Sequence, residues 1–319
     1  MNIPHDKGGK WRYQKLIEYI GSSPDEIGPL AKDFLKQRSA TKSDVIWWSL
    51  LYSSCYCMGT ACILYDMLDY KTLTDKDLEK FWEEHKKDLI FQSDRRYIKH
   101  MNQFNTIVSD FIKRTNRHPW NYFKKFIKNT PEETYSAMYK EVSSWKYYGR
   151  FGTILFLYIF NKLLGVPLDY STYNWRQGAT TTSAIFNVVY KDERAAKFEK
   201  DGKITQKDIS HLDAYLTKVK KDLNKNYPEK SWTIMGITSD LCAYRKLFKQ
   251  TRYLGYYVDR QQEELTWLEN HWPSMKNTWK RFWRLRKEHI PEEYLGELHN
   301  WSGIQKDHCK SWVERGEFR

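Results

Sequence analysis

Three short groups of residues in this chain have types and spacings suited to chemistry. Asp94-Arg95-Arg96-Tyr97 falls at an expected helix start, where backbone N–H groups and two guanidinium forks suit a phosphate. Tyr148-Gly149-Arg150 precedes an apolar helix expected over 151–164, and Arg176 follows it on a polar loop with Gln177 and Gly178. Two guanidinium groups thus flank one rigid element, a workable way to set cationic donors at a pocket mouth. In the third group, Leu254 to Glu263, Asp259 and Glu263 are four apart and share a helix face, and Arg260 is spaced for an ion pair with Glu264, the residue after the group. An acid beside an arginine can act as a general base or hold the arginine in place. Each group also has a plain structural reading: a solvated helix end, a core helix with two exposed arginines, a helix N-terminus with its usual acids. No Walker A loop, dinucleotide glycine pattern, H-E-x-x-H or G-x-S-x-G occurs.

The elements that must position these groups read as helices almost throughout. Lys10 to Ile20 is amphipathic and closed by Gly21, and Ser23-Pro24-Asp25-Glu26 opens a helix carrying Leu30, Phe34 and Leu35. Ser43 and Asp44 are placed to cap one long helix, apolar nearly all round, through Leu64; such a helix belongs at a centre, with Gly59 admitting a close neighbour. Thr74-x-x-Asp77, Ser93-Asp94 and Thr130-Pro131-Glu132-Glu133 are further helix starts, and Gly165 with Pro167 is a stop. The Thr-Thr-Thr-Ser run at 180–183 reads as a cap for a helix through Asn187, and 191–207 as a charged surface excursion. Helices are expected over 209–223, from a cap at Thr238-Ser239-Asp240, from about Asp259 to Asn270, and after Pro291. The only strand candidates are Trp232 to Ile237 and Tyr253 to Val258. The fold class is therefore mainly α, one globular helical unit with room for two lobes, 1–130 and 131–300, and a loosely held tail over 302–319.

Bulk properties narrow the partners. The 319 residues carry 53 Lys and Arg against 40 Asp and Glu, a net charge of +13, which points to a polyanion such as nucleic acid. Aromatic residues make up 16% of the chain, and rings interleaved with Lys and Arg suit base stacking as well as core filling. Five cysteines, three of them close together at Cys55, Cys57 and Cys62, make no disulfide framework and fit a reducing cytosol. Cys55-x-Cys57 is poor zinc spacing, so no metal site is expected. The polar N-terminus is no signal peptide, and no segment reaches the ~18–20 apolar residues of a membrane span, so no membrane partner is expected.

At these residues the chain resembles the phage amino acid:DNA transferases, also called α-glutamyl/putrescinyl thymine pyrophosphorylases, clade 2. The resemblance is carried by Phe91-Gln92-Ser93-Asp94-Arg95-Arg96-Tyr97, Trp145 to Arg150 with its apolar helix and Gly165-Val166-Pro167, Gly178–Asn187, Leu241-Cys242-Ala243-Tyr244 and Gly255 to Gln261. These span most of the chain in order. The resemblance implies a bacteriophage enzyme in the cytoplasm of the infected host. In that family 5-hydroxymethyluracil in double-stranded DNA is pyrophosphorylated by a separate kinase. The transferase then displaces pyrophosphate with the amine of an amino acid or polyamine, giving a hypermodified thymine. It also implies a fold similar to helix-hairpin-helix DNA glycosylases, with the base flipped from the stack, although no plain hairpin-glycine signature is present.

Pyrophosphate on an allylic CH₂ leaves readily once its charge is neutralised, and Arg95, Arg96, Arg150 and Arg176 are the candidates for that clamp, Arg150 being the one next to the reacting centre. Asp259 or Glu263 is placed to take the amine's proton, Arg260 or Arg245 to hold an amino-acid carboxylate, and Tyr148, Asn187 and Tyr256 to read an extruded pyrimidine. Cys242 reads as a structural thiol rather than a nucleophile on the ring. The basic stretches 113–128 and 276–287 would track the phosphate backbone. Nothing demands an organic cofactor, and four arginines can do the work for which pyrophosphate chemistry often recruits a divalent ion. Two other readings remain open at this point: a glycosylase-like base-excision enzyme, and a non-catalytic basic nucleic-acid-binding protein.

Overall fold

The computed structural model of the protein describes residues 8–22, 27–92, 101–170, 175–177, 179–190, 192–230, 232–248 and 256–290. It is mainly α, and no strand occurs among the described residues. In chain order the helices are α1 (Gly8–Ser22), α2 (Ile27–Gln37), α3 (Lys42–Cys55), α4 (Met58–Met67), α5 (Asp75–His85), α6 (Met101–Thr115), α7 (Pro119–Phe123), α8 (Pro131–Ser143) and α9 (Arg150–Leu164). They continue with α10 (Ala179–Val189), α11 (Asp192–Asp201), α12 (Gln206–Asn226), α13 (Ile234–Phe248), α14 (Tyr256–His271) and α15 (Lys276–His289). No described helix is long and apolar enough to cross a membrane.

The chain divides into two compact units. One comprises Asp25–Asp169 and Arg260–Ile290, and so holds α2 to α9, most of α14, and α15. The other is built from described residues within Met1–Pro24 and Tyr170–Asp259, that is α1, α10 to α13 and the first residues of α14.

In the larger unit α3 is the central helix expected from its composition: every residue from Asp44 to Cys55 is buried. It packs on α4, α7 and α9. Its start is a capping box that begins at Thr41, two residues before the expected Ser43. Thr41 accepts from the Asp44 N–H while Asp44 accepts from the Thr41 N–H, which satisfies two end donors reciprocally. The single long helix expected here is in fact two. Ser49 and Ser53 turn their hydroxyls onto the carbonyls of Val45 (2.8 Å) and Ser49 (2.7 Å), a bonding pattern that loosens and bends helices. Tyr56 then adopts the left-handed conformation (φ 54°) with its N–H still on the Tyr52 carbonyl, and Cys57 is extended. A tyrosine there costs on the order of 1–2 kcal/mol, which packing of its ring on Tyr52 and Phe151 helps offset.

Other starts and stops follow local chemistry. Thr74 and Asp77 form a capping box on α5, and Thr130 caps α8 with Pro131 at the first position. Gly165 closes α9 at φ 67°, a value that favours glycine. The expected helix after Ser93-Asp94 is described only from Met101, so that cap lies outside the described residues, as do the starts at Ser23 and Pro291 and the tail.

The smaller unit departs more from expectation. The Thr-Thr-Thr-Ser run lies inside α10 rather than before it, because the helix already begins at Ala179. The charged stretch after 191 is not an excursion but α11, ended by Gly202 at φ 65°. The strand candidate Trp232 to Ile237 becomes the start of α13: Thr233 accepts from the Gly236 N–H at 3.0 Å, and Thr238-Ser239-Asp240 fall within the helix. Of the other candidate, Tyr256 to Val258 are helical in α14. Gly21 does not close α1 but lets it approach the Tyr227 ring, which a β-carbon there would meet at 2.0–2.4 Å.

Candidate active site at the break between α3 and α4

Gln92, Phe151 and Glu264, each close in sequence to one of the three groups, meet at the Cys55-Tyr56-Cys57 turn. The Gln92 N–H donates to the Cys55 carbonyl at 2.9 Å, while Asp94, Arg95, Arg96 and Tyr97 lie outside the described residues. The Tyr56 ring meets Phe151 edge-on at 5.4 Å, which brings the start of α9, with Arg150 at its first position, to the same place. The cap of α9 is Gly149, which supplies no side-chain oxygen. Glu264 of α14 accepts from the Cys57 thiol, the third arrival.

Close packing sets the register of α14 on the turn. A β-carbon at Gly59 would lie 2.4 Å from Leu268 Cδ1, so α4 and α14 approach through that glycine, as expected of it. Leu268 and Glu264 are four apart on one helix face, and Cys57 is two residues before Gly59. Docking Leu268 on Gly59 therefore delivers Glu264 to Cys57.

The expected Arg260–Glu264 pair forms, with Nε donating to Oε1 at 3.1 Å and both side chains about one-tenth exposed (11% and 12%). Burial nevertheless pushes the Glu264 carboxyl up to about 7, against the pull of Arg260 and the Cys57 hydrogen bond. The same burial, with the Glu264 charge adding to it, holds the Cys57 thiol well above its ordinary value, so it is a donor here and not a thiolate. The hydroxyl of Tyr52 is likewise pushed up by burial. Trp48 stacks on Tyr52 at 5.3 Å and Tyr52 meets Tyr56 at 6.0 Å, so rings run from the core out to Phe151, which is exposed.

The remaining sequence candidates make other contacts. Tyr148 is buried, its hydroxyl bonded to Ser53 and to the Leu50 carbonyl at 3.2 Å, and its ring packs on Trp145 and Phe156; it fastens the loop before α9 to α3. In the smaller unit Arg176 is exposed on a single 3-10 turn over Trp175–Gln177, and the Asn187 amide donates to the Ser183 carbonyl at 2.7 Å within α10. Arg245 and the half-buried thiol of Cys242 ride on α13, which packs on α10. Tyr256 is nearly buried and meets Tyr257 edge-on, and Asp259 is fully buried. Glu263 is half-buried, one position away from Glu264.

Sequence reasoning missed Tyr56, Cys57 and the acidity of Glu264. No glycine or proline marks the break, and the serine pair at Ser49 and Ser53 is its one local signal. It also missed Asp240 of α13, whose carboxyl desolvation pushes up to about 7 while Lys230 pulls the other way.

No solved structure matches the chain. A serinyltransferase of Salmonella phage ViI is 22% identical over 292 residues, covering 85% of this chain and 70% of the relative. The family model for amino acid:DNA transferases matches residues 35–253, more than half of the chain. The match takes in the α3–α4 break, the Phe91–Tyr97 motif and the start of α9, and the chain belongs to the amino acid:DNA transferase family.

Proposed function

We propose that this transferase displaces pyrophosphate from 5-(pyrophosphoryloxymethyl)uracil in DNA with the amine of an amino acid, and that the α3–α4 break is where it does so. The observation that carries this reading is the convergence of Gln92, Phe151 and Glu264 on one turn, since each introduces an arginine-bearing motif. Arg150 stands one residue before Phe151, Arg260 is bonded to Glu264, and two residues, Ser93 and Asp94, separate Gln92 from Arg95 in the sequence. Guanidinium groups gathered at one place neutralise the four or so charges that a departing pyrophosphate collects, which is the main barrier to its leaving. Exposed Phe151 and the half-buried Tyr56 offer ring faces to a pyrimidine turned out of the duplex. Arg260 would hold the amino acid's carboxylate.

Double-stranded DNA has a suitable track on the larger unit. Lys276, Lys280, Arg284 and Lys287 are all exposed and recur every three or four residues, one stripe along α15, while Trp279, Phe282 and Leu285 face inward. Such a stripe binds phosphates without reading sequence, and binding through it weakens as salt rises. The donor is an amino acid. The phage relative's name makes serine the first to try, and a polyamine is the other class of amine to include.

The test is mass spectrometry of nucleosides after incubating the protein with 5-(pyrophosphoryloxymethyl)uracil DNA and a pool of amino acids and polyamines. A nucleoside carrying the donor on its 5-methylene, with one pyrophosphate released per transfer, is the expected result. Arg150→Ala should lower transfer by about 10²-fold while DNA is still bound. Unchanged nucleosides with DNA binding retained, or a free base, would overturn the reading.

A further inference from the structure

We propose that Glu264, held against the α3–α4 turn by Cys57 and Arg260, is the group that takes the proton from the incoming amine. This rests on the transfer reaction proposed above and assigns its proton acceptor.

An amino acid arrives at neutral pH mostly as an ammonium ion, whose nitrogen has no lone pair to attack with. One proton must move from R–NH₃⁺ to a base. In the assigned step the Glu264 carboxylate takes that proton and becomes the acid. The freed lone pair forms the C–N bond to the 5-methylene carbon as the C–O bond to pyrophosphate breaks, its electron pair leaving on the phosphate oxygen. The resulting secondary ammonium loses its extra proton to water, and Glu264 returns its own, so no oxidant, reductant or further reactant is needed.

Geometry singles out Glu264 among the acids of α14. Successive residues of a helix are turned by about 100°, so Asp259 and Glu263 present a different face from Arg260 and Glu264. The latter face is the one docked on Cys57 and Gly59. Glu264 is nearly buried but not sealed, at 12% exposure, and Arg260 fixes its orientation. The groups facing it are Tyr52 and Cys57 from the turn side, and Arg260 and Glu263 from its own helix. Apart from Arg260 these are neutral or acidic at pH 7, which keeps the carboxyl a usable base near neutrality rather than a spent anion.

The experiment compares wild type with Glu264→Gln on 5-(pyrophosphoryloxymethyl)uracil DNA, using serine and then hydroxylamine, a nucleophile already neutral at pH 7. With serine the variant should lose about 10²–10³-fold in kcat and regain much of it as pH is raised above the amine's own titration. With hydroxylamine it should stay within a few-fold of wild type. Equal loss with both nucleophiles, unrelieved by pH, would mean a merely structural role and overturn the assignment, as would full activity with serine at pH 7. Should the variant fail to fold, Cys57→Ala decides. Removing the thiol donor should shift the acidic limb of kcat/KM for serine to higher pH, and an unmoved limb would overturn the proposal. A wild type that makes no aminated nucleoside at all would instead defeat the transfer reading itself.

Discussion

Asp208 in the smaller unit and Glu264 in the larger one each have an arginine within ion-pair distance, and the protein treats them in opposite ways. Asp208 is the third residue of α12 and belongs to a capping box, accepting from the Thr205 N–H at 2.8 Å and the Thr205 hydroxyl at 2.7 Å. It also accepts from the Tyr190 hydroxyl at 2.9 Å and from Arg194 Nε at 3.0 Å. So many donors, Arg194 foremost, hold its carboxyl far below the usual carboxylate range. Glu264 lies two turns into its helix, beyond the reach of unpaired backbone N–H groups, and receives only Arg260 and a thiol. There burial wins and the carboxyl rises to about 7. An arginine beside a carboxylate therefore does not fix its acidity. The number of additional donors and the loss of water decide whether the pair is a fastening or a base.

The largest effect expected from this contrast is on stability. Asp208→Asn should cost about 3 kcal/mol at pH 7, because Arg194 loses its partner and the box loses its acceptor. Chemical denaturation would show it, and a change under about 0.5 kcal/mol would mean that the pair holds nothing. The sign with pH follows from the lowered carboxyl. Its stabilising contribution is complete above the ordinary aspartate value of 3.8 and fades as pH falls below that, so variant and wild type should converge in acid.

Glu264→Gln should do the reverse. A carboxyl raised in the folded state favours folding most below its unfolded value of 4.5, and that contribution is lost as pH rises to about 7. At pH 8 the variant should match or exceed wild type in stability, by about 3 kcal/mol at most, and at pH 4 the two should agree. Thermal melts across pH would check it, and a variant less stable at pH 8 than at pH 4 relative to wild type would place Glu264 among the fastenings with Asp208.

Thr205→Ala removes the side-chain cap and one donor to Asp208, and should cost about 1 kcal/mol, visible in the same denaturation series. The smallest effect belongs to Arg284, exposed and paired with Glu288 at 3.4 Å on the surface. Arg284→Ala should change stability by less than about 0.5 kcal/mol yet reduce the slope of log affinity against log salt for DNA by about one. An unchanged slope would remove α15 from the DNA track.

Local chemistry was enough to write down much of this protein from its chain. The starts at Thr74 and Thr130, the stop at Gly165 and the Arg260–Glu264 pair all depend on atoms a few residues apart, and so does the run of short motifs that marks the family. Helical spacing, caps and left-handed glycines are short-range by nature. Tertiary packing decided the rest. It broke one expected helix into α3 and α4 without a glycine or proline, and it turned the 192–201 stretch into a helix. It placed Tyr148 in the core, and it chose which face of α14 meets the turn. The acidity of Glu264 was the least legible feature, because desolvation is a sum over atoms delivered from Tyr52, Cys57 and their neighbours, some two hundred residues away along the chain. A carboxylate's spacing to its arginine is written in the sequence, whereas the water it loses is set only when the helices close around it.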